Sequence, residues 1–202
     1  MDLSVVKVYG MSSSGNCYKV KLLLTQLQQP FEWIEVDTLK RETRTPQYLA
    51  MNPNGKVPLL ETGPGRYLAE SNAILCYLAE GSAYLPANPW QRAEVMQWLF
   101  YEQYSHEPYI ATARFIRRFL RNPDEPTLPL KTERGYIALK VMEHHLGSRE
   151  FFVGGAYSIA DLALYAYTHV AHEGGFDLAV FPAVRAWLSR VSRQPRHIAL
   201  AA

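Results

Sequence analysis

Cysteine is scarce: the 202 residues hold two, Cys17 and Cys76. Two cannot make a disulfide-rich scaffold, and neither lies in a CxxC pair. An excess of one charge is also missing. Lys plus Arg number 21 against 19 Asp plus Glu, a net charge of +2. That near-balance gives no bulk case for binding nucleic acid or a membrane surface. No apolar run is long enough to span a bilayer. The opening MDLSVVKVYG has an acidic second residue and no basic stretch before its apolar run, so it does not read as a signal peptide. The expectation is a soluble chain in a reducing, cytoplasmic compartment. No GxxxxGK[ST], GxGxxG, GxSxG or HExxH motif is present. Nucleotide-binding, α/β-hydrolase and zinc-protease readings therefore lack support.

Apolar and aromatic residues are plentiful. Hydrophobic residues make up 48% of the chain, with 13 Tyr, 8 Phe and 4 Trp. Such a chain buries a real core and is not intrinsically disordered.

Residues 1–80 alternate strand and helix signals. Leu3 to Tyr9 is a β-branched run closed by Gly10, and 15–28 carries Val20, Leu23, Leu24 and Leu27 at helical spacing before Pro30. Residues 31–36 alternate again, which predicts a parallel β-α-β unit with a crossover helix. A short helix is expected over 43–51, then two strands, 57–61 and 66–69, around the turn TGPG. Residues 71–80 read as a helix capped by Ser71, with Ile74, Leu75 and Leu78 buried. The stretch GSAYLPANP, with its Gly, Ser and prolines, reads as a linker over 81–88. Beyond it, 90–120, 130–146, 159–170 and 182–191 are helical in period. The chain thus reads as a small α/β domain, 1–80, joined to an all-helical domain, 89–202. In YSIADL, Ser158 and Asp161 have capping-box spacing, with Tyr157 and Leu162 at the staple positions. This motif is assigned to folding.

Three segments bear on chemistry. In NPNGKVPLL, Pro58 sits among the apolar residues of a strand, where it has no N–H for the ladder. A cis Val57–Pro58 bond resolves this, turning the strand entry and pointing the Val57 backbone groups outward, where an extended peptide can pair with them. The plainer alternative is a trans proline starting an edge strand. In AESNAIL, Ser71 and the free N–H groups of a helix start make a carboxylate site, and Glu70 beside it can hold an ammonium. In YGMSSSGNCYKV, hydroxyls and helix-start N–H groups gather where an anion can be stabilised. Taken singly, the second segment is a helix cap and the third a Ser-rich turn.

Together they resemble the cytosolic glutathione S-transferase superfamily, as a bacterial-like Ser-type member of the theta, zeta and nu kind. The resemblance covers nearly the whole chain and implies a thioredoxin-like first domain, βαβαββα, followed by an all-α domain. It implies that the backbone at Val57-Pro58 pairs with the cysteinyl unit of glutathione and that Glu70-Ser71 binds its γ-glutamyl end. Counting back from Lys19 places the family's catalytic Ser at Ser14, with Asn16 as a helper. Ser12 and Ser13 leave that register open. A Ser and not a Cys there argues for thiolate activation over a covalent mixed disulfide, with Cys17 dispensable. Lys56 is the candidate for the glycine carboxylate. The helix holding Trp98, Tyr101, Tyr104 and Tyr109 is implied to line a hydrophobic acceptor pocket, with Trp98 in the core. The implied partners are glutathione, a small hydrophobic electrophile and a second copy of the chain, with no metal, nucleic acid or membrane.

Two other clusters are weighed. His169, His172 and Glu173 are close in sequence, but a third metal ligand is not evident, and they are read as helix-end residues. Arg114, Arg117, Arg118 and Arg121 share a helical face. They are read as a solvated face, with an anion-attracting wall beside the substrate, through Arg114, as the alternative. His144 and His145 are expected at the surface. The implied activity is transfer of an alkyl or aryl group to sulfur. The rivals are a glutathione-dependent disulfide reductase or peroxidase, and a non-enzymatic binding protein on the same scaffold.

Overall fold

The computed structural model describes residues 5–201. They form two compact units: residues up to Glu80 with those from Pro195, and Gly81–Gln194.

The first unit runs β1 (Val6–Gly10), α1 (Gly15–Leu27), β2 (Phe31–Glu35), α2 (Pro46–Met51), β3 (Leu59–Glu61), β4 (Tyr67–Ala69) and α3 (Ser71–Ala79). The expected strand start at Leu3 lies outside the described residues. β1 pairs parallel to β2 from Val6↔Phe31 to Gly10↔Glu35, and β3 runs antiparallel to both β1 and β4. The sheet order is β2-β1-β3-β4. Val6 and Val8 alternate inward along β1, and Val20, Leu23 and Leu24 of α1 and Ile74 and Leu75 of α3 are buried. A Cβ on Gly10 would come within 2.6 Å of the Trp33 ring, so a larger residue at the end of β1 would displace that ring. β3 begins at Leu59 and not at Val57, and the Val57–Pro58 bond is cis. The TGPG turn closes a hairpin through Thr62 N–H to Arg66 O at 3.1 Å. The tail from Pro195, expected with the helical domain, groups with this first unit. Tyr18 Oη donates to Ile198 O at 2.7 Å.

The second unit holds α4 (Pro89–Tyr101), α5 (Glu107–Arg114), α6 (Leu128–Leu146), α7 (Ile159–Thr168) and α8 (Pro182–Ser192). α4 and α5 are joined by a π-helical turn, Glu102–His106, and a second one, Phe115–Phe119, follows α5. The first lies just before Pro108, whose ring would clash with the carbonyl four residues back in a regular helix. The segment read as a linker is fixed within this unit. Leu85 is buried, and Tyr84 O accepts from Ile159 N–H at 3.0 Å. The Ser158–Asp161 capping box is formed. The core centres on Phe152, whose ring lies 4.5 Å from Trp98 and 5.2 Å from Trp187.

The arginine face is a correction. Arg114 is only 3% exposed, and its Nε pairs with Glu173 Oε2 at 2.6 Å. Arg118 Nη1 holds the other oxygen of Glu173, also at 2.6 Å. A carboxylate from 59 residues away converts part of a predicted solvated stripe into a charge-assisted cluster. His145 is half-buried, stacked on Phe152 and hydrogen-bonded to its carbonyl at 2.9 Å.

Candidate functional site

The turn from β1 into α1 sorts its own hydroxyls. Ser12 gives both its N–H and its Oγ–H to the Glu35 carboxylate, at 2.8 and 2.6 Å. Trp33 Nε1 donates to the same carboxylate at 2.7 Å. Partial burial would raise the Glu35 carboxyl, but these bonds and nearby Lys21 outweigh it and hold it below its ordinary value. The Ser12 proton is thereby committed to Glu35. Ser14 is the N-cap of α1: its Oγ accepts from Cys17 N–H at 3.4 Å, and its own N–H donates to Met11 O at 2.9 Å. It stands at the positive end of a helix of 13 residues.

Two other nucleophiles nearby are disabled. Cys17 is fully buried, and its sulfur accepts from Met11 N–H at 3.4 Å. Burial pushes its thiol up to about 12, although bonds from Ser14 and Met11 pull the other way. Such a thiol is not a nucleophile near neutrality. Tyr9 donates its hydroxyl to Glu61 at 2.9 Å, and burial, then that bond, push it up to about 12.

β4 enters α3 with no intervening loop. Glu70 makes the turn at φ 68° and ψ 110°, and it is the N-cap without a side-chain capping bond. Ser71 is the first helical residue and not the cap, which corrects the expectation. Its buried hydroxyl donates to Asn16 Oδ1 at 3.2 Å and accepts from Lys19 Nζ at 3.4 Å. Lys19 Nζ also reaches Asn72 Oδ1 at 3.4 Å. The start of α1 and the start of α3 therefore share one hydrogen-bonded network.

The third expected element lies around the cis bond. Tyr48 Oη and Asn52 Nδ2 both donate to Lys56 O at 2.8 Å, fixing the backbone directly ahead of Val57-Pro58. Val57 packs against Val36, Tyr48 and Leu59. The Lys56 side chain is exposed.

In the helical unit, Tyr101, Tyr104 and Tyr109 line a groove of about 520 Å³ with Leu130, Ile137 and Val141. Tyr101 donates to Ala138 O at 3.0 Å, and burial raises its phenol. Arg114, the fourth residue expected on a substrate wall, is not in this groove; it is held by Glu173. That pairing also engages Glu173 of the weighed metal cluster, and His169 stacks on Tyr165 at 4.5 Å. Among the described residues no group of three or more His, Cys, Asp or Glu could hold a metal.

Sequence reasoning missed Glu35, Lys19, Tyr48 and Asn52. Only Lys19 left a signal, a cation among the mostly apolar buried residues of α1.

The glutathione S-transferase N-terminal domain model matches residues 4–80, and the C-terminal domain model matches 96–195. The crystal structure of glutathione S-transferase from Pseudomonas fluorescens Pf-5 is 54% identical, with a TM-score of 0.95 over 98% of this chain and 100% of that one. Ure2p in complex with glutathione is 25% identical, with a TM-score of 0.87 over 97% of each chain. Disulfide-bond oxidoreductase YfcG from Escherichia coli K12 is 29% identical, over 89% of this chain and 87% of its own length. With both domain models matched in order and a homologue aligned along its whole length, the chain belongs to the glutathione S-transferase family.

Proposed function

We propose that this protein is a cytoplasmic, Ser-type glutathione transferase, in which Ser14 activates the glutathione thiol for attack on a hydrophobic electrophile. The position of Ser14 as the N-cap of α1 supports its choice over Ser13, and its neighbours are otherwise engaged. In its turn Ser12 is committed to Glu35, Cys17 is buried as a neutral thiol, and Tyr9 is committed to Glu61. A free thiol near neutral pH is only a few per cent thiolate. A hydroxyl donor together with the N-terminus of α1 favours the anion, and each unit of lowered pKa is worth about 1.4 kcal/mol. The thiolate then displaces a leaving group from the electrophile or opens its ring, forming a carbon–sulfur bond.

The remaining roles follow from the chemistry of the groups. The γ-glutamyl carboxylate meets the Ser71 hydroxyl and the α3 N–H groups, and Glu70 receives the ammonium. Val57 offers its backbone to the cysteinyl unit beside Pro58, Lys56 offers a cation to the glycine carboxylate, and Asn16 stands next to the thiol turn. The Ure2p structure with glutathione supports a tripeptide ligand on this fold. The aromatic lining of Tyr101, Tyr104 and Tyr109 supports an apolar acceptor.

The likeness to YfcG favours one second reading, disulfide reduction. With Cys17 buried, that reaction would run through glutathione itself. Its thiolate attacks the substrate disulfide, one substrate thiolate leaves, and a second glutathione resolves the mixed disulfide.

Substitution of Ser14 tests the reading. Ser14→Ala should lower kcat and raise the pH at which bound glutathione ionises, by about one to two units for a lost charge-assisted hydrogen bond. The ultraviolet thiolate band reports this directly. If the band is unmoved while Ser13→Ala or Asn16→Ala shifts it, the register is wrong. Higher turnover on small disulfides than on aryl halides and epoxides selects the second reading.

A further inference from the structure

Lys19 is fully buried in α1, and neither the thiol turn nor the apolar core explains it. Burying an ammonium is costly unless hydrogen bonds satisfy it. Its Nζ reaches Ser71 Oγ and Asn72 Oδ1, the first two side chains of α3, both at 3.4 Å. Ser71 Oγ in turn donates to Asn16 Oδ1 at 3.2 Å. An ammonium only donates, so Lys19 occupies a lone pair of Ser71 and leaves the single hydroxyl proton to a different partner. Here that partner is Asn16. A carboxylate has only lone pairs to offer. To be bound by Ser71 it must take the same proton, and one proton cannot serve both acceptors.

We propose that Lys19 is a positioning residue that holds the Ser71 oxygen as a proton switch between Asn16 and the γ-glutamyl carboxylate, so that filling the glutamyl end is felt in the Ser14–Cys17 turn. The proposal rests on the reading of Ser71 as the γ-glutamyl site. Two effects follow. The carboxylate meets a hydroxyl already polarised by a cation, which strengthens the bond. Asn16, two residues beyond Ser14, loses its bond to Ser71 when that proton turns away.

The test is titration calorimetry of the full chain with glutathione and with γ-aminobutyryl-cysteinyl-glycine, which lacks only the γ-glutamyl carboxylate. Wild type should prefer glutathione. Lys19→Met, which keeps the length of the side chain without its charge, should narrow that preference by about tenfold or more, with the affinity for the analogue unchanged. A purely structural role would weaken both ligands alike, and that result overturns the proposal. Equal preference in wild type and variant overturns it too, while leaving the Ser71 reading in place. No preference in wild type overturns the Ser71 reading itself. If Lys19→Met does not fold, the side-chain amide signals of Asn16 in wild type decide. They should move further with glutathione than with the analogue, whose thiol meets the same turn; movement with both alike, or with neither, defeats the switch.

Discussion

Glu70 sits in a backbone region that favours glycine, at φ 68°. Strain of this kind costs on the order of 1–3 kcal/mol and persists where the surroundings over-determine it. Glycine would relieve it, at about 0.5–1 kcal/mol of unfolded-chain entropy. Glu70→Gly should therefore raise stability by on the order of 1 kcal/mol in thermal unfolding, and it should raise the KM for glutathione through the lost carboxylate. A variant both destabilised and fully active would remove Glu70 from the site. Cys17 gives the opposite case, a residue near the chemistry that takes no part in it. Its thiol, raised to about 12, stays neutral throughout the working range. An alkylating reagent at pH 8 should label the half-buried Cys76 and reach Cys17 only on unfolding, and Cys17→Ser should keep transferase activity nearly intact. If Cys17→Ser alone abolishes activity, a covalent disulfide mechanism replaces the one proposed. Neither residue's state was legible from composition. MSSSGNC contains three adjacent hydroxyls that sequence alone does not rank, because the group that removes Ser12, Glu35, arrives from a different strand.

At the scale of elements, the start of α3 illustrates what periodicity conveys and what it omits. The helix itself, its buried Ile74, Leu75 and Leu78, and its place after a hairpin were all readable from apolar spacing. The cap was not, because a positive φ at Glu70 has no signature in a Glu. Ser71→Ala removes no capping bond, but it takes an acceptor from the buried Lys19 ammonium and the donor from Asn16 Oδ1, and should cost about 1–3 kcal/mol in stability. It should also raise the KM for glutathione, and an unchanged KM in the folded variant would leave Ser71 outside the ligand site. α7 is the contrary case, where the motif was plain and the structure adds to it. Asp161 accepts from Ser158 N–H, Phe152 N–H and Trp187 Nε1, each at 3.0 Å. Asp161→Ala would leave three buried donors without their acceptor, each worth about 1–3 kcal/mol, and should cost above about 4 kcal/mol in denaturant unfolding. The carboxyl also titrates. Burial lifts it from 3.8 to about 6, against the pull of those bonds. The folded state thus holds this proton more tightly than the unfolded chain does. Relative to Asp161→Asn, which does not titrate, wild type should lose stability as pH rises from 3.8 to about 6 and hold level above that. A difference that grows with pH would mean that the hydrogen bonds outweigh burial. The π-helical turn of 115–119 was not read from apolar spacing, whereas that of 102–106 has a mark in Pro108, which a periodicity reading passes over.

For the whole molecule, the exposed apolar surface of the helical unit sets the remaining question. Phe100, Tyr104, Leu130, Ile137 and Val141 are all exposed, on α4, the π turn that follows it and α6. Several of them line the aromatic groove, and a contiguous exposed apolar patch on a chain of this size marks a site of association. A small acceptor fits within the groove, but it leaves Phe100 uncovered, because Phe100 is not part of the lining. A second copy of the chain can cover the patch, which agrees with the homodimer that the family resemblance implies. Ile137 and Val141 stand four residues apart and so share one face of α6. The double variant Ile137→Glu, Val141→Glu places like charges on both sides of a two-fold contact, since each residue of such an interface recurs in the partner. Sedimentation should report twice the chain mass for wild type and the single-chain mass for the variant. A variant that stays at twice the mass moves the interface to a different face, and a monomeric wild type removes the dimer. Kinetics of the same variant separate the two occupants. If it turns monomeric with an unchanged KM for the aromatic electrophile, the groove serves association, and the acceptor roles proposed for Tyr101, Tyr104 and Tyr109 fall. If the acceptor KM rises while the glutathione KM holds, the groove takes the electrophile as proposed.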